Sequence, residues 1–263
     1  MPDLGLGGSR VLVVGGASGI GLACARAFAQ EGARVGVLSR SPASIERALA
    51  GDLSAHRDAV RTEVADVRDD AALGGAVRGL AGRLGGLDHL VVSAGVDGEF
   101  GAGVAEVTRA GFRDVLEVNV AAAFSAVQHA CPHLRRSTAP SVTFIGSDSG
   151  FVTARGMIAY GASKGALVQL TRVLAHELSA DPSPGPAGGT GIRVNSVCPS
   201  ITDTPMARRG LGVDDLSGAP YPVNTPEDVA WAVLFLSSPR SRAVNGVSLL
   251  SDFGYSGRSS FPA

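Results

Sequence analysis

Residues 10–21 read RVLVVGGASGIG: a short apolar run, Arg10–Gly15, and then glycines at positions 15, 16, 19 and 21. A β-branched run of this length reads as a buried strand. A helical pattern follows from about Gly19 to Glu31, and Gly32 ends it. Strand, glycine-rich turn and helix in that order let the backbone turn sharply and aim the free N–H groups of a helix N-terminus at a diphosphate. A plain tight turn is the alternative, and the strand–turn–helix context favours the binding reading.

The same alternation continues outward. Strands are expected at Arg34–Ser39, Val60–Val64, Asp88–Val92, Ser141–Ser147, Ile192–Val197 and Gly246–Ser251. Between them lie helical patterns at Asp69–Leu84, Gly111–Leu134 and Met157–Ala180. Ser41-Pro42 reads as an N-cap and first helical position, and Thr225-Pro226-Glu227-Asp228 as a capping signature for a helix reaching about Ser237. Such alternation implies parallel pairing through right-handed crossovers. The expected fold is therefore α/β: a single doubly wound Rossmann-type domain spanning residues 1–263, with a seven-stranded parallel sheet and helices on both faces. Two stretches stay irregular: Asp181–Gly191, read as a surface insertion, and Pro205–Val223, which has no clear strand and is read as a small lid.

Composition narrows the function. The 263 residues carry 23 basic and 24 acidic side chains, which leaves no electrostatic footprint for nucleic acid or an acidic membrane. No apolar run is long enough to span a bilayer, and the amino terminus lacks the basic and apolar regions of a signal peptide, so the cytoplasm is the expected location. Cys24, Cys131 and Cys198 are odd in number and have no metal-ligand spacing; free thiols and no metal are expected. Of the 23 basic residues, 22 are arginine, and the single lysine is Lys164. Arginine and lysine differ where a compact charge or a labile proton is needed, so a lysine kept among arginines poses a chemical question.

Tyr160-Gly-Ala-Ser-Lys164 answers it. Residues four apart share a helix face, so both side chains can enter one site. A free tyrosine is too weak an acid for neutral pH, and a nearby ammonium should bring its pKa down toward the working range. At the end of the second strand, Ser39-Arg40 stands where an NAD enzyme of this fold places a carboxylate for the ribose 2′-hydroxyl. A guanidinium there would pair with a 2′-phosphate, which favours NADP(H) over NAD(H).

These landmarks, in this order from about residue 8 to 256, resemble the short-chain dehydrogenase/reductase family. The resemblance implies that Gly15, Ala17, Ser18, Gly19, Ile20 and Gly21 form the diphosphate turn. It implies that Asp66 and Val67 meet the adenine and that Ser93, Ala94 and Gly95 form the turn after the fourth strand, where Val92 replaces a usual asparagine. Ser147, thirteen residues before Tyr160, would hold the substrate oxygen, with Ser149 as the alternative. Asn119 would hold a water beside Lys164, or serve as a buried structural hydrogen-bonder, or both. Pro199, Ile201 and Thr204 would meet the nicotinamide; Ser200 replaces a usual glycine, and Asp252-Phe253-Gly254 departs from the usual Asp-Gly-Gly.

The resemblance thus implies an NADP(H)-dependent ketoreductase interconverting a carbonyl and a secondary alcohol, with catalytic Asn119, Ser147, Tyr160 and Lys164. Tyr160 and Lys164 would also touch the cofactor. Alternatives are an NAD-dependent alcohol dehydrogenase, a non-redox enzyme, or a nucleotide-binding regulator on the same scaffold. The substrate pocket is expected from Asp97–Phe100, Phe151–Arg155 and Pro205–Tyr221. Ala102 and Gly103 leave its width open, and Arg155, Arg208 and Arg209 are read as solvated surface residues before anion receptors. A homotetramer through the 111–134 and 157–180 helices is the assembly the family implies.

Overall fold

Seven strands alternate with helices in the computed structural model, which describes residues 3–180 and 191–257. In chain order they are β1 (Arg10–Val14), α1 (Gly19–Gln30), β2 (Arg34–Ser39), α2 (Pro42–Ala50), β3 (Val60–Val64), α3 (Asp70–Leu84) and β4 (His89–Val92). Then come α4 (Arg109–Leu116), α5 (Ala122–Leu134), β5 (Ser141–Ile145), α6 (Ile158–Ser179), β6 (Arg193–Pro199), α7 (Pro205–Leu211), α8 (Pro226–Ser237) and β7 (Ser248–Ser251). The strands form one parallel sheet in the order β3-β2-β1-β4-β5-β6-β7. β1 pairs with β2 on one side and β4 on the other, so strand order reverses there and opens a crevice at the carboxyl ends.

Two apolar layers cover the sheet. On one face, Leu73, Val77 and Leu80 of α3, Ala126 and Leu134 of α5, and Leu167 and Leu174 of α6 pack on Leu12, Leu90 and Phe144. On the other, Phe28 of α1, Ile45 of α2, and Val229, Val233 and Leu234 of α8 pack on Val11, Val13, Val35 and Val37. Alternate residues of one strand feed opposite layers, which is why strands buried on both faces read as continuous apolar runs.

Local chemistry sets the boundaries. Ser41 accepts from the Ser44 N–H, Asp69 from Ala72, and Thr225 forms a reciprocal capping box with Asp228. Gly15 and Ser147 fall just beyond the strands expected to contain them. The expected helix 111–134 begins earlier, at Arg109, where Thr108 accepts from the Gly111 N–H, and it is interrupted by a π-helical turn over Glu117–Ala121. The segment 205–223 holds a short helix, α7, capped by Thr204 and ended by Gly212 at φ +67°. The expected insertion at 181–191 lies outside the described residues except for Gly191. Among the described residues, no helix is long and apolar enough to cross a membrane.

Candidate active site

A cleft of about 870 Å³ runs along the carboxyl edge of the sheet and receives the residues that follow all seven strands. Its first wall is the turn after β1. Gly15 has φ +82°, and a Cβ there would lie 2.6 Å from the Ala94 backbone nitrogen. A Cβ on Gly21 would lie 2.2 Å from the Gly15 carbonyl oxygen. Only hydrogen fits at either place, so the turn closes tightly against the β4 turn and frees the first N–H groups of α1. Ser18 makes no capping bond to that helix, and α1 has no acidic residue in its first turn. An uncapped helix N-terminus without a carboxylate suits a diphosphate. Ser18, Gly19 and Ile20 line the cleft, whereas Ala17 is packed into the core and Gly21 lies behind the turn.

Beyond β2 the lining is Ser39, Arg40, Ser41, Ser44 and Arg47. Arg47 donates to the Ser44 hydroxyl at 3.0 Å. Two guanidiniums and three hydroxyls therefore gather where an acidic residue would repel a phosphate. Sequence reasoning found Ser39 and Arg40 and missed Ser44 and Arg47, which the α2 periodicity places one turn apart. Asp66 and Val67 line the next stretch; Asp66 accepts from the Arg68 backbone N–H at 3.0 Å, and Arg68 grips Asp114 with two bonds of 2.8 Å. Ser93, Ala94 and Gly95 follow, and Pro199, Ile201 and Thr204 face them after β6.

At the inner end Ser147, Tyr160 and Lys164 come together. Lys164 is 6% exposed, with Nζ donating to the Ile145 carbonyl at 2.9 Å and lying 5.4 Å from the centre of the Tyr160 ring. Burial draws its pKa down to about 8, against a smaller opposing effect of the neighbouring Cys198. The expectation that Lys164 depresses the tyrosine is not met. Burial pushes the Tyr160 phenol up to about 12, hydrogen bonding with Ser147 pulls it back, and the charges of Asp148 and Asp97 push it further. The lysine ammonium donates to a carbonyl at the end of β5, and the charges that act on the phenol, after burial and the Ser147 bond, are those of Asp148 and Asp97.

Asn119 sits in the π turn, 2% exposed, and does not line the cleft. Its Oδ1 accepts from the Val96 N–H at 2.8 Å, and its Nδ2 donates to the Val96 carbonyl and the Ser163 hydroxyl, both at 2.9 Å. Both amide protons are thus committed to structure. Asn119 and Lys164 still meet around Gly95, where a Cβ would lie 3.3 Å from Asn119 Oδ1 and 3.9 Å from Lys164 Nζ. π turns recur at functional sites, and nothing in the apolar periodicity of residues 115–120 announces this one.

The mouth is lined by Phe100, Met157, Met206, Leu211, Tyr221 and Phe253. Glu99 and Phe151, expected there, do not line it: Glu99 accepts instead from the Thr108 N–H and hydroxyl. Arg208 pairs with Asp203 at 2.6 Å, Arg209 approaches Asp97 at 3.9 Å, and Arg155 and Arg209 border the cleft. Phe253 has φ +54°, an uncommon backbone state for a bulky residue. Among the described residues no cluster could hold a metal ion, and all three cysteines are buried.

Comparison with known proteins agrees with this fold. A family model described as enoyl-(acyl carrier protein) reductase matches residues 15–256. The chain is 35% identical to 2-(R)-hydroxypropyl-CoM dehydrogenase of Xanthobacter autotrophicus, covering 94% of this chain and 98% of that protein. It is 31% identical to D-threitol dehydrogenase of Mycolicibacterium smegmatis, covering 96% and 95%. Among solved structures, a dehydrogenase/reductase from Sinorhizobium meliloti 1021 is 34% identical with a TM-score of 0.81, covering 96% of each chain.

Proposed function

The chain belongs to the short-chain dehydrogenase/reductase family and is an oxidoreductase of CH–OH and C=O groups; from that premise we propose that it is an NADP(H)-dependent ketoreductase with Tyr160 as its acid–base. One observation carries the reading. A single cleft joins the Arg40–Arg47 end to the Tyr160 phenol, with an uncapped helix N-terminus and a glycine cradle between them.

The residues fit a dinucleotide along that whole length. Arg40 and Arg47 would hold a 2′-phosphate by charge-assisted bonds, and Ser18, Gly19 and Ile20 a diphosphate. Asp66 and Val67 would border the adenine, and Pro199, Ile201 and Thr204 the nicotinamide. The bound nicotinamide supplies or accepts the hydride. Ser147 orients the substrate oxygen, Tyr160 gives that oxygen a proton in reduction and takes it back in oxidation, and Lys164 holds the ribose hydroxyls beside the phenol. Asn119 belongs to this set by fixing Val96 and Ser163 around Lys164, and through any water that the second lone pair of its Oδ1 holds. A phenol held near 12 is protonated throughout the neutral range, as a proton donor to a carbonyl must be. The rest of the substrate would pack against the apolar mouth.

We read residues 1–263 as one dinucleotide-binding and catalytic domain, with 205–223, built around α7, as a lid. A cytoplasmic homotetramer is the expected assembly, and light scattering of the purified protein tests it. For the cofactor, Arg40→Ala should raise the Kd for NADPH roughly 10- to 100-fold and leave that for NADH within a few-fold, the range of lost charge-assisted bonds. Equal effects on both nucleotides would refute the NADP(H) assignment and leave NAD(H) as the partner.

A further inference from the structure

The turn after β5 carries a carboxylate that this chemistry has not used. Asp148 follows Ser147, is half-buried, and lines the cleft. Its Oδ1 accepts from the Ser147 hydroxyl at 3.1 Å and from the Ser149 hydroxyl at 3.4 Å. The Ser147 Oγ in turn accepts from the Ser149 backbone N–H at 3.1 Å. A serine hydroxyl has one proton and two lone pairs. The same hydroxyl also hydrogen-bonds with the Tyr160 phenol; with its proton on Asp148 and one lone pair on the Ser149 N–H, what Ser147 offers the phenol and a ligand in the cleft is its other lone pair. Building on the proposed roles of Ser147 and Tyr160, we infer that Asp148 is a positioning residue: it makes Ser147 a hydrogen-bond acceptor toward the cleft and so favours the alcohol over the carbonyl in the bound ground state.

The physical basis is the difference between the two ligands. A secondary alcohol brings an O–H that Ser147 can accept; a carbonyl brings only lone pairs. To meet the carbonyl, Ser147 must withdraw its proton from a carboxylate, breaking a charge-assisted bond. Removing that carboxylate, or protonating it, frees the hydroxyl to donate.

The groups facing Asp148 are few. Asp252 approaches from the turn after β7, and Tyr160 from α6. Lys164, also on α6, is turned to the Ile145 carbonyl. Ser147 and Ser149 belong to the Asp148 turn itself. Burial, together with the negative charge of Asp252, holds Asp148 above the usual carboxylate range, against the hydrogen bonds from Ser147 and Ser149. Its protonation therefore lies nearer to mildly acidic conditions than that of a free aspartate.

The overall equilibrium fixes the ratio of forward to reverse catalytic efficiency, so the effect must be read in binding. Two complexes that cannot turn over serve as probes: acetophenone with the NADP⁺-saturated enzyme, and 1-phenylethanol with the NADPH-saturated enzyme, each titrated by calorimetry. Asp148→Ala should tighten the ketone and weaken the alcohol, each by about three- to tenfold, the range of one net hydrogen bond. Asp148→Asn, neutral but still an acceptor, should fall between Ala and wild type. In the wild-type enzyme, lowering the pH through the acidic range should tighten the ketone, and Asp148→Ala should abolish that dependence. The wild-type pH series needs no variant and decides the matter if Asp148→Ala does not fold. Shifts of the same sign for both ligands, no shift, or a flat wild-type profile would overturn the inference. Tyr160→Phe separates it from the reading beneath: full turnover in that variant defeats the acid–base assignment. An inactive Tyr160→Phe with no opposed shifts at Asp148 defeats this inference alone.

Discussion

Lys164 is the residue at which composition and structure meet most closely. Its ammonium is buried, 2.9 Å from the Ile145 carbonyl and beside the Tyr160 ring, a place for a compact point charge that a larger planar guanidinium does not reproduce. Lys164→Arg therefore keeps the charge and should still lower kcat by about a hundredfold or more, measured on protein whose circular dichroism matches wild type. Burial has drawn the lysine down to about 8, so its ammonium is complete below that pH and lost above it. Activity that depends on the ammonium should decline as pH rises through about 8, and a flat profile to pH 10 would remove the charge from the mechanism. The pair Tyr160 and Lys164 was legible because four residues on a helix fix one face. The direction of the tyrosine's shift was not legible, because it depends on Asp97 and Asp148, which the fold brings to the phenol from distant or neighbouring turns.

Among the elements, the turn between β1 and α1 does the most with the least side-chain material. Gly21→Ala would place a Cβ 2.2 Å from the Gly15 oxygen. That overlap should cost on the order of 1–3 kcal/mol of stability and weaken NADPH binding together, by urea unfolding and by titration. Unchanged values in both would mean that the turn relaxes without consequence. Strands and most helices could be read from the sequence because buried parallel strands are unbroken apolar runs and the helices carry caps. α7 lies in the stretch read as irregular; its signal is Thr204-Pro205, a cap followed by a first-position proline, with Thr204 accepting from the Ala207 N–H at 3.2 Å. The π turn at 117–121 was not readable, since one extra residue in a helical repeat leaves the neighbouring apolar positions in place. The left-handed Phe253 was equally hidden, because the sequence only showed a missing glycine.

The whole molecule separates chemistry at the carboxyl edge of the sheet from a polar network at the opposite edge. There Arg10 binds Asp88 with two side-chain bonds of 2.6 and 2.8 Å, Ser137 donates to the same carboxylate at 2.6 Å, and His89 bonds Ser141 at 2.9 Å. Burial holds His89 down to about 4, against the pull of Asp88, and hydrogen bonds hold Asp88 down to about 2 despite its own burial. The sign follows directly. Between its free value near 6.5 and about 4, the unfolded chain binds a proton at His89 that the folded one refuses, so stability falls as pH falls through that window. Asp88 continues the loss from its free value of 3.8 toward 2. Unfolding free energy should drop by roughly 3 kcal/mol between about pH 7 and pH 4 from His89 alone, and His89→Gln should flatten that slope. An unchanged slope would show that other groups control acid unfolding.

The grip on the 2′-phosphate end of the cofactor and proton transfer are assigned to opposite ends of one cleft, so removing the Tyr160 hydroxyl should separate them. Removing the Tyr160 hydroxyl as Tyr160→Phe, and following NADPH absorbance with a ketone panel alongside NADPH binding, makes that separation directly. The expected result is an NADPH Kd within about threefold of wild type and turnover lower by at least about a hundredfold. Turnover within a few-fold of wild type would contradict the assignment of the proton to Tyr160.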